Sequence, residues 1–163
     1  MSPSSTDLVF ITGATGFIGA TTALHTLQAG YRVRLSVRQE SQVTKLKSIY
    51  AQYADKIEFV ITSDITKDDA FAGALDGVSH IIHCASPLAG SPNPEDVIPP
   101  AVNGTLSILK EAAKVKSVKK VVITSSVAAL MPIGGSLTVP ENVVVKGEYR
   151  SRSVYSMCAN NLE

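Results

Sequence analysis

Leu8-Val9-Phe10-Ile11-Thr12-Gly13-Ala14-Thr15-Gly16-Phe17-Ile18-Gly19 decides how this chain is read. Leu8 to Ile11 is an unbroken apolar run, the mark of a short strand covered on both faces. It ends in three glycines spaced three apart, and a helical pattern follows. Gly13 suits a tight turn, Gly16 leaves backbone room for a pyrophosphate, and Gly19 lets the helix pack closely on the strand, with phosphates at the positive helix end. Such a triplet alone is a weak signal. Its weight comes from standing in the first of a series of strand-helix units.

The units follow in order. Tyr31 to Val37 alternates apolar Tyr31, Val33, Leu35 and Val37 with Arg32, Arg34 and Ser36, predicting a strand beside the first with one wetter face. From Gln39 to Tyr53 apolar residues recur at three and four, predicting an amphipathic helix. Ile57 to Ile61 reads as the third strand, Asp68 to Leu75 as a short helix, and Val78 to Ala85 as the fourth strand. A long helix is expected from about Glu95 to Lys116, with Val102, Leu106, Leu109 and Ala113 on one face and Pro99-Pro100 kinking or restarting it. Val121 to Thr124 is the fifth strand. About five strands joined by helical crossovers imply a Rossmann-type, doubly wound α/β fold, a parallel sheet with helices on both faces. Met131 to Ser153 is rich in Pro, Gly and turn residues, and Val154, Cys158 and Leu162 could begin a last helix.

With 163 residues, 45% hydrophobic and 18% charged, the chain has the content of one domain. The formal net charge of +1 is scattered, which argues against nucleic acid or a membrane surface as partner and for a small molecule. No apolar run approaches the roughly 20 residues of a membrane span, and the opening MSPSSTD lacks the features of a signal peptide. Cys84 and Cys158 have no metal-ligand spacing, so a reducing, cytoplasmic setting is expected. The end of the second strand speaks to the nucleotide. A carboxylate there would bind the adenosine ribose of NAD, whereas this chain has Val37-Arg38, with Lys45 in the next helix to complete a cationic pocket for a 2′-phosphate. NADP(H) is the expected cofactor.

The spacing T-G-x-x-G-x-x-G begins a family resemblance, continued by Val37-Arg38, Asp64-Ile65, HCASP at His83 to Pro87, AVNGT at Ala101 to Thr105, and VVITSS at Val121 to Ser126. The chain resembles the extended short-chain dehydrogenase/reductases, in the branch of dihydroflavonol reductase, cinnamoyl-CoA reductase and fungal ketone/aldehyde reductases. The resemblance implies that Thr15, Phe17 and Ile18 lie along the pyrophosphate, that Asp64 and Ile65 border the adenine, and that Ala85, Ser86 and Thr124 belong to the cofactor trough. It also implies that Arg38 and Lys45 bind the 2′-phosphate, that Ser126 polarises a substrate carbonyl, and that Tyr155 supplies its proton. Family members carry a lysine four residues after the tyrosine, whose cation lowers the phenol pKa from near 10. Here that position is Ala159. Lys146, Arg150 or Arg152 would be the substitutes within reach in sequence.

The family's C-terminal substrate domain lies beyond this sequence, so residues 1–163 are read as a single NADP(H)-binding domain, with a homodimer as the expected way to bury an unfinished sheet edge. Three functions compete. They are an NADP(H)-dependent carbonyl reductase, a non-redox enzyme (isomerase, dehydratase or cyclase) on the same scaffold working as a dimer, and a non-catalytic NADP(H)-binding protein. His80 and His83 read as buried, satisfied histidines rather than a metal pair, His25 as packing, and Cys84 as a small buried hydrophobe. Cys158 reads as structural, and Asn103 as either a support of the active site or a polar surface residue.

Overall fold

A computed structural model of the chain describes residues 7–87 and 91–126. Contacts divide the chain into two units, Met1–Ile123 and Thr124–Glu163, and the description below concerns the first.

Five parallel strands form one sheet in the order β3-β2-β1-β4-β5. They are β1 (Leu8–Thr12), β2 (Arg32–Val37), β3 (Ile57–Ile61), β4 (His80–His83) and β5 (Lys120–Ile123). The helices are α1 (Phe17–Gln28), α2 (Glu40–Ile49) and α3 (Pro94–Lys114). The doubly wound class expected from the sequence is therefore present, and β3 occupies the residues read for it. The order reverses at β1: β2 and β3 build outward on one side, β4 and β5 on the other. A crevice opens at such a reversal, beyond the carboxyl ends of β1 and β4, where Thr12 and His83 stand in register.

Every residue of β1 is buried, and its alternation divides the core between the two faces. Val9 and Ile11 pack with Ala23 and Leu27 of α1 and with Val43 and Leu46 of α2. Leu8 and Phe10 pack on the other face with Phe71, Leu75, Ile81 and Ile108 of α3, and the rings of Phe10 and Phe71 meet edge to face at 5.9 Å. Arg34 ties the second face to the sheet edge. Its Nη2 donates to Glu58 Oε2 at 2.7 Å, and its Nη1 to the carbonyls of Ala74 and Asp76, each at 2.8 Å.

One expectation is corrected. Asp68 to Leu75 is not a helix but a chain of turns, with Ala72 N–H donating to Asp69 O and Ala74 N–H to Phe71 O. Gly73 sits at φ +69°, the left-handed region, which ends any right-handed helix there. The apolar spacing survives because Phe71, Ala74 and Leu75 still face the core. On α3 the residues most deeply buried are not the apolar ones read on one face, of which Leu109 alone is half-buried. Gly104, Ser107, Ile108 and Ala112 are buried, whereas Val102 and Leu106 are each 42% exposed and Ala113 is exposed. The helix carries two stripes at helical spacing, and the one with the small residues lies inward because it permits closer approach. A Cβ at Gly104 would come within 3.2 Å of the Ile65 side chain. The helix runs through Pro99 and Pro100, two turns from its start, with Asn93 as N-cap accepting from Glu95 N–H. No helix among the described residues is long and apolar enough to cross a membrane.

Candidate functional site

A cleft of about 460 Å³ lies at the topological reversal, between the β1–α1 loop, the end of β2, the residues after β3 and the residues after β4. It is lined by Gly13, Thr15, Gly16, Arg38, Asp64, Ile65, Ala85 and Ser86, all of them expected from the sequence. Phe17 and Ile18 do not line it. They open α1 and are 87% and 54% exposed. Lys45 is exposed further along α2 and lies outside the lining. Thr124 and Ser126 are exposed and belong to the second unit. Tyr155, Ala159, Cys158, Lys146, Arg150 and Arg152 lie outside the described residues. Asn103 is exposed on α3.

The glycines show whether the cleft fits a dinucleotide. Gly13 has φ +72°, and a Cβ there would lie 2.8 Å from Ala85 N and 2.9 Å from Cys84 C, so the loop rests against the backbone that leaves β4. A Cβ at Gly19 would overlap the Gly13 carbonyl; that glycine admits the loop itself more than the strand, a change from the expected role. At Gly16 an added Cβ would meet only Gly13 O, at 3.4 Å, so the space above that backbone is open to an approaching group. Gly16 is also the N-cap of α1, where no side chain caps the helix and no acid stands in the first turn. The N–H groups of the first turn and the positive end of the helix dipole are thus available to an anion. Open backbone at a helix start, beside Arg38, suits a pyrophosphate and a further phosphate.

Asp64 is the anionic side of the cleft. Thr66 donates to its Oδ1 from the hydroxyl at 2.7 Å and from the backbone N–H at 2.9 Å. These two bonds, hydroxyl first, hold its carboxyl below the ordinary 3.8. It is therefore an acceptor at neutral pH. Ser107 of α3 supports the same wall, its hydroxyl donating to Ile65 O at 2.6 Å.

Thr12, which the sequence reading did not single out, organises the other wall. Its Oγ1 accepts the N–H of Cys84 at 3.2 Å and of Ala85 at 3.0 Å, and lies 2.9 Å from His83 Nδ1. With both lone pairs of the hydroxyl engaged, its proton goes to Nδ1, so His83 carries its own proton on Nε2. His83 is buried beneath an edge-on Phe71, and Nε2 has no partner among the described residues, so this histidine is buried as expected but not fully satisfied there. Burial pushes its pKa below the ordinary 6.5. The unfolded chain therefore takes up a proton that the folded chain refuses. The His83 contribution to stability is complete above about pH 6.5 and is lost as pH falls from there toward the folded value. Urea midpoints measured from about pH 7.5 down to 5.5 should fall, with a slope of at most about 1.4 kcal/mol per unit from this proton. His83→Gln should flatten that part of the curve; an unchanged slope would contradict the assignment.

Gln42, Thr62, Ser63 and Thr66 also line the cleft and were missed. All are neutral and polar, and a search for charges and glycines passes over them. Cys84 is half-buried and lines the cleft, so it is not the buried hydrophobe expected.

The chain is similar to known proteins in sequence and in fold. A ketoreductase of Aspergillus fumigatus is 48% identical over 139 residues, which is 85% of this chain and 40% of that protein. An uncharacterized oxidoreductase of Schizosaccharomyces pombe is 48% identical over 129 residues, 77% of this chain and 38% of that one. Among solved structures, the yeast methylglyoxal/isovaleraldehyde reductase Gre2 complexed with NADPH superposes with a TM-score of 0.71 at 31% identity, covering 78% of this chain and 39% of Gre2. The chain thus spans about two fifths of the length of these relatives. With the reversal cleft, the glycine loop and a family model matched over residues 9–160, the chain belongs to the NAD dependent epimerase/dehydratase family.

Proposed function

We propose that the cleft binds NADP(H) and that this chain is the nucleotide-binding part of a reductase acting on small-molecule ketones or aldehydes. The observation that carries the reading is the β1–α1 loop, open over Gly16, with Arg38 on the rim of the same cleft. The Aspergillus ketoreductase and the yeast reductase with NADPH support it. When bound, NADPH supplies a hydride to a carbonyl carbon. The N–H groups at the start of α1 would hold the pyrophosphate, Arg38 the 2′-phosphate, and Asp64 with Ile65 the adenine edge. Ser126 would donate a hydrogen bond to the substrate carbonyl, and Tyr155 would deliver the proton that completes the alcohol.

One residue favours a second reading. Ala159 stands where the resemblance expects a lysine, and without that cation a phenol near pKa 10 is a poor proton donor and acceptor for turnover at neutral pH. A non-redox enzyme, or an NADP(H)-binding protein without turnover, would have the same cleft. Fluorescence titration with NADPH and NADH, followed by NADPH absorbance in the presence of a ketone or aldehyde panel, separates the readings. The reductase reading expects NADPH-selective binding and substrate-dependent oxidation that Tyr155→Phe reduces at least about a hundredfold. Selective binding with no oxidation supports the second reading, and binding of neither nucleotide overturns both.

A further inference from the structure

We propose that the hollow between α1 and the β4–β5 half of the sheet is a second ligand site, one that takes a single-chain aliphatic carboxylate. It holds about 510 Å³, within the roughly 300–1,000 Å³ of pockets that bind small ligands, and shares no lining residue with the nucleotide cleft. Strand register builds its wall. Val9, His80 and Lys120 stand side by side near the amino ends of β1, β4 and β5, and two residues further on Ile11, Ile82 and Val122 form the next row. Alternation turns both rows toward the face that carries α1, because Val9 and Ile11 pack there. The helix packs on β1 and β2, so Ile82 is only half-buried and Val122 is 46% exposed. Since α1 leads back to the start of β2, its last turn, which carries His25, returns to the amino ends where His80 and Lys120 stand.

The lining is chemically divided along its length. His25, His80 and Lys120 gather at one end, and Ile82 and Val122 face Thr22 of α1 toward the other. Among the described residues that line it there is no aspartate or glutamate, and the titratable side chains are Tyr31, His25, His80 and Lys120. A ligand that matches both ends has an anionic head and an apolar tail. Ser79 prepares the head end. Its hydroxyl donates to Leu8 O at 3.1 Å, so its oxygen accepts from His80 Nδ1 at 2.9 Å. Nε2 is then the open position of the ring. It can take the proton of a carboxylic acid and donate it back as a hydrogen bond to the carboxylate, beside the Lys120 ammonium. The volume is that of a small-molecule pocket, which sets a dissolved carboxylate ahead of a protein or membrane partner.

Calorimetric titration of the 163-residue chain with hexanoate, octanoate and decanoate tests this, with octanol and octyltrimethylammonium as controls for the head. Affinity should rise about two- to fourfold per added methylene. Octanoate should bind at least about tenfold tighter than either control, the range of a hydrogen bond to a charged group. Lys120→Glu, at an exposed position, should weaken octanoate at least about tenfold and leave NADPH titration unchanged, so the outcome is independent of the cofactor reading. Thr22→Phe, which fills the apolar end, should weaken all three carboxylates about tenfold or more, again with NADPH binding intact. Octanol or the ammonium binding as tightly as octanoate overturns the proposal, as does octanoate binding that neither variant changes. Light scattering in parallel reads the remaining occupant: a dimer that excludes octanoate and that Thr22→Phe breaks gives the hollow to a second copy of the chain and overturns the proposal too.

Discussion

Gly13→Val should abolish nucleotide binding, lowering NADPH affinity by more than about a hundredfold, and should cost about 2–5 kcal/mol of stability. Two separate effects add. At φ +72° a β-branched residue enters the left-handed region, at about 1–2 kcal/mol. Its Cβ would also lie 2.8 Å from Ala85 N and 2.9 Å from Cys84 C, both backbone atoms that cannot swing aside, at a further 1–3 kcal/mol or so. The loop must then lift away from β4, and the lift moves the start of α1 off the position where its N–H groups converge. Two other glycines serve as controls. Gly73 has φ +69° but nothing within 4 Å of an added Cβ, so Gly73→Ala should show the conformational cost alone, near 1 kcal/mol, with binding unchanged. Gly16→Ala meets only Gly13 O at 3.4 Å and should fold normally while binding NADPH more weakly, because its methyl group fills the space meant for the pyrophosphate. Urea melts and NADPH titrations of the three variants give six values. Binding by Gly13→Val within about tenfold of wild type would show that the loop is not the phosphate cradle.

How much of this could be read without coordinates depended on how local the cause was. The β1 run and the glycine loop were legible because burial on both faces and the turn at Gly13 leave signatures in consecutive residues. Arg38 was legible because a charge at a strand end is conspicuous. The inward face of α3 was not, since Val102-Leu106 and Gly104-Ile108 are both apolar pairs at helical spacing. The choice between them falls to Ile65, a residue far away in sequence that only Gly104 leaves room for. The stretch from Asp68 to Leu75 has helical apolar spacing, but Gly73 takes a positive φ and the chain turns instead. Gln42 was passed over for Lys45 because charge was the criterion, whereas the Arg38 N–H requires an acceptor one turn away. Thr12 reads as an ordinary strand residue. Its importance comes from register with His83 on β4, a pairing that no local pattern announces.

That register makes Thr12→Val the second large effect. Valine has nearly the shape of threonine, so the buried packing at the end of β1 is conserved, and the change isolates the hydroxyl. Three groups lose the Thr12 hydroxyl at once: the N–H of Cys84, the N–H of Ala85, and Nδ1 of His83. Each buried polar group left unsatisfied costs about 1–3 kcal/mol. Cys84 and Ala85 are half-buried and regain some hydration, which brings the expected total to about 2–4 kcal/mol in urea denaturation. His83 is the part that cannot be rehydrated, since it is 2% exposed and its Nε2 already lacks a partner among the described residues. With both ring nitrogens unpaired it would gain from moving, and movement carries Cys84 and Ala85 away from Gly13. NADPH affinity should therefore fall about tenfold or more in a variant that touches no part of the nucleotide. Thr12→Ser keeps the oxygen and loses a methyl group, so it should recover the affinity while retaining a smaller stability loss of about 1 kcal/mol. Equal stability in the valine and serine variants would mean that the hydroxyl only fills space, and that the β4 wall of the cleft is held by the sheet alone.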